Sequence, residues 1–209
     1  TSSSNGESRL MNRLHALCCF SVCFSASTGC FADGAWGRLK GDLAIQGDLG
    51  MVYDGSHPGV MGAVAIRYLQ SAGAYATWMM PVSKDADFER IGSVGVELRP
   101  LFLPRLLKDW QGTSPRLNLW IDSFSIRMGT AFAHQGPYAQ GPGFETGVGM
   151  GIPILPQAQG PWIGLSGLWR WSQDAMHTRQ NSDFVCTMTL GWQTILYSGL
   201  VDWKDTRTP

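Results

Sequence analysis

Between Leu39 and Asp54 the chain alternates without a break. Odd positions read Leu39, Gly41, Leu43, Ile45, Gly47, Leu49, Met51 and Tyr53, while even positions read Lys40, Asp42, Ala44, Gln46, Asp48, Gly50, Val52 and Asp54. A period of two sends successive side chains to opposite faces of an extended strand, here one apolar and one polar or small. Strands of globular proteins usually run about 5–6 residues. A tilted strand crossing a bilayer takes about 9–11, and this run is longer still.

The pattern recurs along the chain. Ile91 to Phe102 sets Gly92, Val94, Val96, Leu98 and Phe102 against Ser93, Gly95, Glu97 and Arg99. Trp120 to Phe132 sets Trp120, Phe124, Ile126, Met128 and Phe132 against Ser123, Ser125, Arg127, Gly129 and Ala131. Phe144 to Ile152 alternates with Glu145, Gly147, Gly149 and Gly151; Ile163, Leu165, Trp169 and Trp171 alternate with Gly164, Ser166, Arg170 and Ser172. The last run opposes Phe184, Cys186, Met188, Leu190, Trp192 and Leu196 to Thr187, Thr189, Gly191 and Gln193. Two less regular segments, Val60 to Leu69 and Gly73 to Met80, flank Gln70-Ser71-Ala72.

Turn formers and polar residues fill the connections at 55–59, 81–90, 134–143 and 173–183, as antiparallel neighbours require. The expected fold is all-β: a single antiparallel up-and-down barrel of about eight strands, closed so that no strand edge is left unpaired. One connection differs. Leu103, Leu106, Leu107 and Trp110 are spaced as on one face of a short amphipathic helix, suited to capping a barrel end or to lying in a membrane interface.

The N-terminal segment reads as an address. Met11-Asn12-Arg13 precedes an apolar stretch through Ala26, and small residues follow to Ala32, the pattern of a secretory signal peptide starting at Met11 and cleaved before Asp33. That divides the chain into 1–32, a barrel domain 33–197 and a polar tail 198–209. The stretch is too short for a membrane-spanning helix. Ser27-Thr28-Gly29-Cys30 resembles a bacterial lipoprotein box, with Cys30 as the residue that would carry lipid. Cleavage after Ala32 would leave Cys186 alone, with no disulfide framework and no CxxC metal site.

Alternation does not say which face points inward. An apolar-inward barrel would be a soluble carrier of a lipophilic ligand, and Gly34-Ala35-Trp36 resembles the lipocalin G-x-W. Composition favours the opposite arrangement. Charged residues make up 15% of the chain, against about 25% in ordinary domains. Lysine occurs only at 40, 84, 108 and 204, too rarely to cover a solvent-facing barrel. Sixteen basic residues balance sixteen acidic ones, which argues against nucleic acid as a partner.

With the small and polar face inward, Glu97, Arg99, Arg127, Glu145 and Arg170 form a candidate network of charge-assisted hydrogen bonds in the lumen. Trp78, Trp110, Trp120, Trp162 and Trp171 are candidate interfacial aromatics. Over Leu39 to Leu196 the chain then resembles the small outer-membrane β-barrel proteins of Gram-negative bacteria. That resemblance implies membrane lipid and the outer-membrane assembly machinery as partners. It also implies a structural, adhesive or binding role through the loops Pro81–Arg90 and His134–Gly143.

Catalysis is not expected. The family includes lipid-modifying enzymes, but neither His134 nor His177 has a serine two residues on, and no G-x-S-x-G is present. His57, His134 and His177 fall in connections with no sequence-local carboxylate or cysteine arranged as metal ligands, so no metal or other cofactor is expected. Gly147, Gly149 and Gly151 alternate with Val148 and Met150 as in a strand, and no lysine follows as in a phosphate loop.

Overall fold

A computed structural model describes residues 41–55, 57–82, 90–108, 110, 112, 114–133, 138, 141–173, 175 and 182–198. The expected signal segment with Cys30, the Gly34-Ala35-Trp36 triplet, His134, His177, most of the loops 81–90 and 134–143, and the tail beyond Ser198 lie outside the described residues.

Eight strands close into one antiparallel barrel in sequence order. They are β1 (Leu43–Tyr53), β2 (Pro58–Tyr68), β3 (Ala72–Pro81), β4 (Ile91–Leu98), β5 (Ser125–Ala133), β6 (Gly143–Pro153), β7 (Gly160–Trp171) and β8 (Asp183–Leu196). The closing seam pairs Leu43 with Leu196 and Tyr53 with Cys186, as long a ladder as that joining β1 to β2. Asp42 fastens this seam by accepting hydrogen bonds from the backbone N–H and the hydroxyl of Ser198.

Two helices, not the one expected, occupy the connection between β4 and β5: α1 (Phe102–Leu107) and α2 (Pro115–Asp122). This corrects two strand limits. Phe102 does not extend β4; it opens α1 and is buried. Trp120 does not begin β5; it sits on α2, and β5 starts at Ser125. Pro115 fixes φ in the first turn of α2, where a missing N–H leaves no bond unmade. Among the described residues no helix is long and apolar enough to cross a membrane.

The helices, the 69–71 turn and the 154–159 segment share one mouth, here called the lower mouth. The 69–71 turn is tight: Leu69 and Gln70 adopt φ of 46° and 56°, and Ser71 N–H returns to the Tyr68 carbonyl at 3.0 Å. Positive φ at both central residues matches the twist of a two-residue hairpin, and neither residue is glycine.

The direction of the alternation is settled by burial. Along β1 the even residues Ala44, Gln46, Asp48 and Val52 are buried, while Leu49, Met51 and Tyr53 are exposed. In β8 Val185, Thr187, Thr189 and Gln193 face inward, while Phe184, Met188, Leu190 and Trp192 face outward. The outward positions of all eight strands hold apolar residues, glycine, a few threonines and Cys186, and not one Lys, Arg, Asp or Glu.

Candidate functional site: a charged, filled lumen

The lumen is layered. Towards the upper mouth, Val52, Met61, Met79, Ile91, Leu168 and Val185 pack into an apolar plug that Tyr138 joins from the β5–β6 connection. The Tyr138 hydroxyl donates to Asp183 at 2.8 Å; burial and that carboxylate push the phenol above its ordinary range. At the lower mouth Leu119 of α2 packs on Ala158 and Trp162, with Ile195 beside them. Trp162 Nε1 donates to the Ala158 carbonyl at 3.1 Å. Trp162 is 3% exposed and faces inward, so it belongs to this plug and not to the outer aromatics.

Polar side chains fill the space between the plugs in two clusters. In the lower one, the Glu97 carboxylate receives three guanidiniums: Arg67 Nε at 2.6 Å and Arg99 Nε at 3.2 Å on one oxygen, Arg127 Nε at 3.0 Å on the other. Arg67 also donates to Gln46 Oε1 at 2.7 Å, and Gln46 Nε2 donates to Asp48 at 2.7 Å. Gln70, from the tight turn, accepts from Arg99. Register explains the meeting of Arg67 and Glu97. Both pair with Gly73 of β3, which lies between them and carries no side chain to separate them.

The upper cluster centres on Glu145. Arg170 Nε lies 2.5 Å from one oxygen; the other accepts from Tyr75 Oη at 2.9 Å and Ser93 Oγ at 3.2 Å. Arg170 Nη2 reaches Met79 Sδ at 3.1 Å, while its Nη1 is buried without a protein partner. The Arg127 guanidinium stands 5.5 Å from the Tyr75 ring and links the clusters. Salt bridges join Arg67, Arg99 and Arg127 to Glu97 and Arg170 to Glu145, while Asp48 accepts from Gln46 and Asp42 from Ser198. Pairing of this kind is what keeps several charges tolerable away from bulk water.

Glu97, Arg99, Arg127, Glu145 and Arg170 all occupy the interior, divided between the two clusters. Arg99 lies one residue beyond β4 yet stays packed against Glu97. Arg67, Gln46 and Tyr75 complete the network beyond the five candidate residues. Among the aromatics, Trp78 faces out near the upper mouth, Trp171 ends β7 there and tilts against Phe144, and Trp110 and Trp120 are exposed at the lower mouth.

The cavity left among Gln46, Asp48, Arg67, Glu97 and Arg127 holds about 30 Å³, room for a water or two. A lipophilic ligand needs an apolar pocket of roughly 300 Å³ or more. The predominantly apolar strand face points outward, and among the described residues the lumen shows no such pocket. Among the described residues no three His, Cys, Asp or Glu side chains are grouped as metal ligands.

No protein-family model matches this chain, and no curated protein matches it. Among solved structures, the solution NMR structure of a de novo designed protein, TMB2.3, matches with a TM-score of 0.40 and 10% identity. The match covers 75% of this chain and 96% of that one, a likeness too slight to argue from.

Proposed function

We propose that this protein is an integral β-barrel of a bacterial outer membrane, with a sealed polar interior and a non-catalytic structural, adhesive or loop-binding role. One observation carries the reading: the outward face of eight consecutive strands is free of charge. A barrel in water would present charged side chains on that face, and a large contiguous apolar surface would drive association. Hydrocarbon is the solvent that such a surface suits.

Aromatic residues sit where a bilayer would place its interfaces. Tyr53, Trp78, Phe132, Phe144, Trp169 and Phe184 lie within three residues of the upper strand ends; Tyr68 ends β2 and Trp192 lies toward the lower mouth on β8. The plugs at both mouths argue against a conducting pore.

Fractionation of the native host, followed by gel mobility before and after boiling, tests the proposal. Recovery in the outer membrane with heat-modifiable migration is the expected result. Recovery in the soluble periplasm would overturn it.

A further inference from the structure

We infer that the α1–α2 hairpin is a lipid-binding element, lying in the phosphate-bearing headgroup layer of the leaflet at the lower mouth. The inference rests on the membrane-barrel reading and adds a surface that the strands do not provide.

The hairpin is built rather than slack. Arg105 Nη1 pairs with buried Asp122 at 2.9 Å, and Arg105 Nη2 donates to the Trp110 carbonyl at 3.1 Å and to Asn118 Oδ1 at 3.1 Å. Asn118 clasps Gly112 in both directions, accepting from its N–H at 3.0 Å and donating to its carbonyl at 2.7 Å. Phe102 and Leu119 are buried, which spends one side of the hairpin on packing.

The other side is exposed among the described residues. Leu103, Leu107, Trp110, Leu117 and Trp120 are exposed, Leu107 at 83% and Trp110 at 62%. The cations beside them are Lys108, whose ammonium stands 4.6 Å from the Trp110 ring, and exposed Arg116. Asp122, the acidic residue described in the hairpin, is buried beneath Arg105. Apolar side chains mixed with outward cations suit the boundary between acyl chains and anionic headgroups, where tryptophan also partitions.

Continuity identifies the occupant. The hairpin joins β4 to β5, whose outward residues nearest this mouth are Leu98 and Ile126, both exposed. In sequence its exposed apolar residues run from Leu103, five residues past Leu98, to Trp120, six residues before Ile126, so on the membrane-barrel reading lipid at that rim is the medium nearest them. Lys108 and Arg116 would then contact phosphate.

An environment-sensitive fluorophore at Leu107→Cys tests this in the whole chain, with the native cysteines replaced by serine. The protein is placed in phosphatidylcholine vesicles with or without phosphatidylglycerol, and the same label at Val148→Cys on β6 serves as reference. The expected result is blue-shifted emission at both sites, quenched at 107 by headgroup-proximal spin-labelled lipid and at 148 by acyl-chain label. A label at 107 open to aqueous quencher, with 148 in lipid, would overturn the inference and leave the barrel reading standing. Both sites open to water would overturn both.

Lys108→Glu with Arg116→Glu tests the phosphate contact separately. Phosphatidylglycerol is expected to deepen the label at 107 in the parent and not in this variant. An equal response in the two would overturn the phosphate assignment.

Discussion

Tyr75 of β3 donates its hydroxyl to Glu145 of β6 at 2.9 Å across two intervening strands. In register, Tyr75 pairs with Gly95 of β4, Gly95 with Gly129 of β5, and Gly129 with Glu145. The two glycines leave the floor beneath the phenol ring empty. A Cβ added at Gly129 would stand 2.6 Å from the Tyr75 hydroxyl and 2.5 Å from the Val94 carbonyl. The network depends on where side chains are absent as much as on where charges lie.

Gly129→Val is therefore expected to destabilise the barrel by about 1–3 kcal/mol, because neither backbone nor ring can move aside without strain. Gly47→Ala is the control, since a Cβ there meets nothing within 4 Å. Urea unfolding in vesicles followed by tryptophan fluorescence should separate the two, with Gly47→Ala close to the parent.

Glu97→Gln removes the carboxylate shared by Arg67, Arg99 and Arg127. Breaking a buried ion pair on one side costs about 3–5 kcal/mol, because the remaining charge loses its partner. The loss is expected to exceed that of Arg127→Met, which leaves Glu97 two guanidiniums. The temperature at which the folded gel band disappears would rank the variants.

Much of this was legible in the chain. Strands β1, β4, β6 and β8 announce themselves because charges avoid one parity, and the same rule assigned Glu97, Arg127, Glu145 and Arg170 to one side of the sheet. Strands β2 and β3 were blurred by small residues on both faces: Ala72, Ala74 and Ala76 point outward while Ala63 and Ala65 point inward. Tyr75 was hidden there.

Helix α2 was missed for a different reason. Leu117, Leu119 and Ile121 alternate as in a strand, yet the buried positions Asn118, Leu119 and Asp122 follow a helical face. Ser114-Pro115 was the available signal for a helix start. Trp162 shares parity with Gly164, Ser166 and Arg170, so its inward direction was already written in the alternation.

Val148→Arg places a guanidinium on the outer face of β6. Near the middle of a bilayer that costs about 2–4 kcal/mol, and close to an interface about 0–1 kcal/mol. Phe184→Arg, one residue from the upper end of β8, is the near-interface comparison. Folding yield into vesicles should fall steeply for the first and little for the second; equal yields would argue against a hydrocarbon environment.

Tyr138 gives a pH dependence outside the strands. Its ordinary value is 10.0, and in the folded protein burial and the Asp183 carboxylate hold the proton more tightly. With the folded value raised, the stabilisation is complete below the unfolded value and is lost as pH rises towards the folded one. Difference absorbance between the parent and Tyr138→Phe should show this phenol still protonated when exposed tyrosines have ionised.

The most direct measurement of the central claim is a spin-label scan along β6, one site at a time from Phe144 to Ile152, in vesicles. Collision with apolar oxygen should peak at 144, 146, 148, 150 and 152 and fall at the odd positions between, while a water-soluble nickel chelate reaches none of the central sites. Oxygen maxima at 145, 147, 149 and 151, or free access of the chelate to 148, would contradict an apolar face turned outward into lipid.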